Sequence, residues 1–384
     1  MISKYVQPCP ITFGRGALGQ LPALLEEAGV CRPLIITDRG VAAAGLLART
    51  ERLLAAGGVS YTSYDAMLPD TPDYCCTQAA QQAAEFGADG VIGLGGGSCM
   101  DAAKAVSVLC ANREQTITQL ITGTPFRQKP LPSILIPTTA GTGSESTIFA
   151  VVSCSEDGRK RSLFTYASMG VLDPELTVDL PPEVTAYTGM DALAHAVEAY
   201  TSVRPNPQSD LLSLDAIRRI AAWLPAACRE GQNMQARENL CLASNFAGIA
   251  FNNSATHIGH AMAHAMGAIL HVSHGIACAW DVPEVLYLMA RYLPEKARQI
   301  GCALGIVPAQ ELSGEELGEV LRRHVHRFMK EIGIPTCAAL GIDEEKLASC
   351  GDYAVSEKLR GLCGAPVTNG EIRQALVNCA RNYR

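Results

Sequence analysis

The chain is short of aromatic and charged side chains. Phe, Trp and Tyr make up 5% of its 384 residues and Asp, Glu, Lys and Arg 18%, against a hydrophobic content of 48%. That balance excludes a disordered chain, which would be poor in apolar residues and rich in charge. A field of positive charge is also missing, with a net charge of −7 and a pI near 5.7. Nothing pulls on phosphate backbones or an anionic bilayer, so neither nucleic acid nor membrane is expected as a partner. The most basic tract, RRHVHR at 322–327, reads as a solvated helix face. Apolar runs such as SILI and VIGL are too short to cross a membrane, and the opening MISKYVQPCPITFGRG lacks the apolar stretch of a secretory signal. The 15 cysteines are scattered, odd in number and without a CxxC pair. A chain of this length needs no disulfide staples, so reduced core thiols in a cytoplasmic protein are expected. The glycine loop GLGGGSCMDAAKA, 93–105, is not the GxxxxGK[ST] loop of nucleoside-triphosphate motors and departs from the GxGxxG fingerprint.

What is present is a change of pattern near residue 180. In the first half, short apolar segments (PLIITD, VSYTSYD, DGVIGLGGGS, LPSILIPTT) alternate with alanine-rich helical ones, the rhythm of a parallel sheet covered on both faces. A nucleotide crevice is expected at the carboxyl ends of such strands. From PPEVTAYTGMDALAHAVEAYTS onward every segment favours helix, including ARENLCLASNFAGIAFNNSATHIGHAMAHAMG. The expected division is a Rossmann-like α/β domain over 1–180 and an all-helical domain over 181–384, joined at the proline-rich LDPELTVDLPPE.

Two loops of small residues lie at expected strand ends. In GLGGGSCMDAAKA, Gly95, Gly96 and Gly97 leave backbone N–H groups open to an anion at the start of a helix, and Ser98 adds a hydroxyl. In IPTTAGTGSES, Thr138 and Thr139 offer hydroxyls beside Gly141 and Gly143. Together they suit a pyrophosphate-bearing nucleotide. Asp38 closes PLIITD, where a carboxylate accepts hydrogen bonds from a ribose diol and repels a 2′-phosphate, which favours NAD(H) over NADP(H).

The helical half holds an unusual density of imidazole. HIGHAMAHAMGAILHVSH, 257–274, carries five of the eight histidines, and GMDALAHAVEAY places Asp191 and His195 four apart on one apolar helix face. One such histidine reads as a satisfied core residue. Five in an alanine-rich core would need hydrogen-bond partners that the surrounding sequence does not supply. An aspartate with three histidines forms an N₃O set suited to a borderline divalent ion, Fe(II) or Zn(II). HVSHG reads as a helix end and turn, so His274 is expected on the following segment. Glu198, on the face of Asp191 and His195, reads as structural.

GGGSCMDAAKA, PTTAGTGSE, GMDALAHAVEAY and HAMAHAMGAILHVSHG together resemble the iron-containing (group III) alcohol dehydrogenase family, from GRGAL to about residue 300 and more loosely beyond. The resemblance implies a Rossmann-like N-terminal domain, an all-helical C-terminal domain and an active site in the cleft between them. It implies Asp191, His195, His260 and His274 as metal ligands, with Fe(II) foremost and Zn(II) as the alternative. Cofactor-binding residues are implied at Asp38, Gly95, Gly96, Gly97, Ser98, Asp101, Thr138, Thr139, Ser144 and Lys160. His264 corresponds to the histidine beside the substrate and is the candidate proton carrier, with His271 a candidate next step. The implied reaction interconverts a short alcohol or diol and its aldehyde or ketone, with direct hydride transfer to or from NAD(H). A glycerol-dehydrogenase-like polyol oxidoreductase and a dehydroquinate-synthase-like lyase are the alternatives. A homodimer or higher homo-oligomer is the default assembly. The sequence departs from the family in carrying His271 and Ser273 before the last ligand and Trp280, Asp281 and Glu284 after it.

Overall fold

The structure, a computed structural model, describes residues 3–307 and 311–384. Met1 and Ile2, at the head of the segment read above for a secretory signal, and residues 308–310 lie outside the described residues. The chain divides into two compact units. One holds Gln7–Thr139 with Gly143–Asp179; the other holds Leu180–Arg384 with Ala140–Thr142 and the stretch ending at Val6.

The first unit is built on β1 (Ile11–Phe13), β2 (Pro33–Ile36), β3 (Thr62–Tyr64), β4 (Gly90–Gly95), β5 (Ser133–Pro137) and β8 (Met169–Leu172). All pair in parallel, in the order β1-β8-β5-β4-β2-β3. Its helices are α1 (Leu21–Ala28), α2 (Arg39–Ala43), α3 (Leu46–Ala56), α4 (Asp73–Phe86), α5 (Gly97–Ala111) and α6 (Ile117–Ile121). Alternate strand residues feed two cores, as expected of a sheet covered on both faces. Leu34, Ile36 and Val91 pack with Ala79, Ala103 and Val106 of α4 and α5, while Ile35 and Ile92 pack with Leu21, Leu25 and Leu54 of α1 and α3. The strand segments read from sequence are all strands here. An antiparallel hairpin of β6 (Phe149–Ser153) and β7 (Lys160–Phe164) was not expected.

Strand order places a crevice at the edge of the sheet's central strands. From β2 the chain moves outward to β3, then returns on the other side of β2 as β4. The connections leaving β2 and β4 run to opposite faces, so the crevice opens outside their carboxyl ends. Asp38 lies just past β2, and the triple glycine runs from the last residue of β4, Gly95, to the first of α5, Gly97.

The second unit is helical: α7 (Pro182–Thr201), α8 (Pro207–Arg229), α9 (Met234–Asn253), α10 (Ile258–Leu270), α11 (His274–Tyr292), α12 (Pro294–Ala303), α13 (Gly314–Glu331), α14 (Glu344–Ser349), α15 (Gly351–Ser356) and α16 (Asn369–Asn382). The long segment through 236–267 is two helices rather than one. α9 stops in the polar run Asn252-Asn253-Ser254, whose side chains compete with the helical backbone. α10 restarts after His257, whose Nδ1 accepts from Ile258 N at 2.8 Å. His257 is therefore a cap and does not share the helix face of His260 and His264. α10 ends at His271, left-handed at φ 56°, and α11 begins at His274. The departures at Trp280 and Glu284 are structural: Trp280 Nε1 donates to Pro335 O at 2.8 Å, and Glu284 accepts from Arg322 at 3.0 Å and Asn382 at 2.8 Å.

Candidate functional site

In the helical unit, α7, α10 and α11 bring four side chains together. Asp191 Oδ1 lies 3.6 Å from His195 Nδ1, 3.8 Å from His260 Nε2 and 3.5 Å from His274 Nε2. Asp191 and His195 are buried, and neither Asp191 Oδ1 nor His195 Nδ1 has a hydrogen-bond partner among the described residues. A buried carboxylate oxygen left in that state is costly unless a cation takes it up. The spacing suits one, because the edge of a tetrahedron built on bonds of about 2.1 Å is about 3.4 Å. Burial, partly offset by Asp191, pushes His195 down to about 4. It is therefore neutral near pH 7, as a metal ligand must be. Its ring is stacked on Phe251, with centroids 4.4 Å apart.

Glu198, read from sequence as structural, orients this cluster. Its Oε1 accepts from His260 N at 3.0 Å and from His260 Nδ1 at 2.7 Å, and its Oε2 accepts from His257 N. With the proton on Nδ1, the lone pair of His260 sits on Nε2, which faces Asp191. This is the carboxylate–histidine pairing that holds a ligating imidazole in one tautomer. Burial alone would raise the Glu198 carboxyl; His260 and His257 outweigh it and hold it well below the usual range. His257 is structural in its other contact too. Because its Nδ1 accepts, its Nε2 donates to Thr201 Oγ1 at 2.8 Å, and Thr201 in turn donates to Val197 O at 2.7 Å.

Cys278 also adjoins the cluster. It lies one turn beyond His274 on α11, and its Sγ is 3.7 Å from His274 Nε2. Donor atoms of Asp191, His260, His274 and Cys278 all fall within 4.8 Å of one another. Its place was legible only as the i+4 position of a helix starting at His274, where the sequence suggested a turn. His264 sits beside the group, its half-buried ring 5.7 Å from that of His274 and 6.4 Å from that of His260. His271 is exposed at the end of α10.

In the first unit the two small-residue loops meet. Thr138 N donates to Gly95 O at 2.9 Å. Thr139 faces Gly96, where an added Cβ would lie 3.5 Å from the threonine Oγ1. Gly95 is required: its φ is 152°, and a Cβ there would come within 2.6 Å of Cys99 Sγ. Asp38 caps α2, accepting from Val41 N at 2.9 Å, and accepts from Cys99 Sγ at 3.3 Å, which ties the ends of β2 and β4 together. Ser98 Oγ accepts from Asp70 N at 3.1 Å, and Lys160 Nζ pairs with Asp70 Oδ1 at 2.6 Å. Asp70 and Thr71 both have positive φ, 64° and 52°. A β-branched residue there is a genuine outlier, and sequence composition carries no signal of it. Asp101 accepts from Ser144 Oγ and from Val151 N at 2.9 Å, while buried Lys104 donates to Ser144 O at 3.0 Å. These side chains hold the second loop to α5.

The family model described as "Iron-containing alcohol dehydrogenase" matches residues 8–174, and "Fe-containing alcohol dehydrogenase family, C-terminal" matches 185–378. The chain belongs to the iron-containing alcohol dehydrogenase family. It is 41% identical over 303 residues to the probable alcohol dehydrogenase EutG of Salmonella typhimurium, covering 77% of this chain and 75% of that one. A crystal structure of 1,3-propanediol oxidoreductase is similar with a TM-score of 0.92 at 31% identity, over 99% of this chain and 100% of the other. A sulfoacetaldehyde reductase from Bifidobacterium kashiwanohense, solved with NAD+, is similar with a TM-score of 0.89 at 27% identity, over 99% of both chains. The protein is an enzyme of this family: a metal-dependent, NAD(H)-dependent oxidoreductase acting on alcohol- or aldehyde-like substrates. Among the described residues, no helix is long and apolar enough to cross a membrane.

Proposed function

We propose that the chain interconverts a short alcohol or diol and its aldehyde or ketone, with NAD(H) as hydride partner and one divalent ion held by Asp191, His195, His260 and His274. The observation that carries this reading is the Glu198–His260 hydrogen bond, which leaves Nε2 of a buried imidazole aimed at Asp191 Oδ1. When bound, the ion supplies Lewis-acid polarisation of the substrate oxygen and the nicotinamide supplies or accepts the hydride. The chain's own residues do the rest. Backbone N–H groups of Gly95, Gly96, Gly97 and Ser98 take the pyrophosphate at the start of α5. Asp38 receives the ribose hydroxyls, Thr138 and Thr139 line the adjoining strand end, and Lys160 with Asp70 borders the loop. His264, beside the ligand imidazoles yet outside the tight group, takes the hydroxyl proton in oxidation and returns it in reduction. From His264 the proton passes to solvent, with His271 as the next carrier.

The test is a panel of short alcohols, diols and aldehydes with NAD+ or NADH and metal-loaded protein, followed by nicotinamide absorbance. Turnover of at least one short alcohol–aldehyde pair, abolished by chelation and restored by Fe(II) or Zn(II), is expected. Activity confined to long-chain alcohols would overturn the substrate class, and activity indifferent to chelation would overturn the role of the ion.

A further inference from the structure

We propose that the first unit carries a second small-molecule site, which takes an acyl chain ending in a carboxylate with an N–H or O–H beside it, as in an N-acyl amino acid. A cavity of about 490 Å³ lies among α4, α5 and α6, within the size range of small-molecule sites. None of the residues assigned above to cofactor or metal lines it. One wall is a single face of α4. Asp73, Thr77, Ala80 and Ala84 recur there at helical spacing, a stripe about 16 Å long. Leu109 of α5 and Ile117 of α6, both buried, add apolar surface.

Two side chains just past the end of α5 define what the cavity recognises. Gln115 Oε1 is buried and has no hydrogen-bond partner among the described residues. Turning the amide over gives no relief. Its Nε2 donates to Pro125 O at 3.0 Å, and an oxygen in that place would face another carbonyl. A buried acceptor in this state requires a donor from a ligand. Arg113, two residues earlier, lines the same cavity and forms no ion pair among the described residues. Its Nε donates to Cys110 O at 3.3 Å, which leaves the terminal nitrogens for a carboxylate. Asp73 also borders the cavity, but its carboxylate already accepts from Tyr74 N at 2.8 Å and from Ser155 N and Oγ at 3.0 Å each. An anionic ligand end therefore belongs at Arg113, its neighbouring donor at Gln115, and its apolar tail along Ala80, Ala84, Leu109 and Ile117.

The experiment is calorimetry on the metal-loaded full chain, saturated with NAD+, with N-octanoylglycine as probe. One equivalent should bind, with the same affinity whether or not NAD+ is present. Octanoate lacks the N–H and N-octylacetamide lacks the carboxylate, so each should bind about 10-fold or more weakly. Gln115→Leu should erase the difference between N-octanoylglycine and octanoate, and Arg113→Gln that between N-octanoylglycine and N-octylacetamide. Ala80→Trp should fill the cavity and abolish binding while dehydrogenase turnover is unchanged. The three probes on the unaltered protein decide the matter even if a variant folds poorly. No binding by the unaltered protein, equal affinity for all three probes, binding seen only without NAD+, or a probe still held by active Ala80→Trp overturns the proposal. So does a dimer that excludes the probe and separates in Tyr74→Arg, which would give the groove to a second copy of the chain.

Discussion

A single oxygen of Glu198, Oε1, accepts both the backbone N–H and the Nδ1–H of His260, at 3.0 Å and 2.7 Å. The carboxylate thereby fixes where His260 stands on α10 and which of its nitrogens faces Asp191. Replacing Glu198 with Gln keeps the shape but lets the amide present its NH₂ to the imidazole, which frees the tautomer. Metal affinity should fall about 10- to 100-fold while the protein stays folded. Titration of the stripped protein with Zn(II), alongside circular dichroism, checks both halves.

Gly259 offers an independent route to the same contact. A Cβ there would lie 2.4 Å from Glu198 Oε1 and 3.0 Å from Asp281 Oδ1. Gly259→Ala should therefore displace the carboxylate and weaken metal binding although the substituted residue carries no donor. It should also lower stability by about 1–3 kcal/mol through overpacking, read by denaturant unfolding. Metal affinity equal to wild type would show that the Glu198 contact does not govern the site.

His260 and His264 should separate in their failures. His260→Ala is expected to lose stoichiometric metal. His264→Ala should keep the ion and the cofactor while turnover drops by about 10²- to 10⁴-fold, the range for a lost proton carrier. Elemental analysis and steady-state rates on the same preparations distinguish them. Loss of metal from His264→Ala would make His264 a ligand.

Asp38 holds two roles that one substitution can part. Its carboxylate caps α2 through Val41 N and stands at the strand end where a ribose 2′ substituent would lie. Asp38→Ser retains a good N-cap but removes the charge, so stability should change by only a few tenths of a kcal/mol. The ratio of kcat/KM for NADP+ to that for NAD+ should rise. An unchanged ratio would mean that Asp38 only caps the helix.

Acid should destabilise the helical unit through His326. Burial first, then Arg322 and Lys330, lower its pKa from 6.5 to about 4. The unfolded chain then binds more protons than the folded one between those values. The contribution is fully present above pH 6.5 and is lost as pH falls toward 4. Because the ring is only partly buried, screening leaves about 1–2 kcal/mol of the nominal effect. Unfolding free energies of wild type and His326→Gln across that range should converge as the pH falls.

How much of this was legible beforehand depended on whether a feature repeats along the chain. The parallel strands and their helices announce themselves by period, and Asp191 and His195 by their four-residue spacing on an apolar face. Glu198 lies on that same face, but only tertiary contact reveals that it holds a neighbouring helix. His257 shared a helical spacing with His260 and proved to be a cap, because the polar run ending α9 interrupts the helix just before it. Cys278 was hidden because α11 starts at His274, a boundary set by the left-handed turn at His271. The positive φ of Asp70 and Thr71 is imposed by the loop around Ser98, and residue type alone would have argued against it.

Direct passage of hydride between substrate carbon and nicotinamide under a protein-held ion is followed with an alcohol deuterated at the carbinol carbon. The metal-loaded enzyme should deliver the label to nicotinamide C4 of the product NADH, without exchange into water, and removal of the ion should stop the transfer. Deuterium appearing in solvent would rule out direct transfer, and labelled NADH formed at an undiminished rate by the metal-free protein would rule out the part played by the ion.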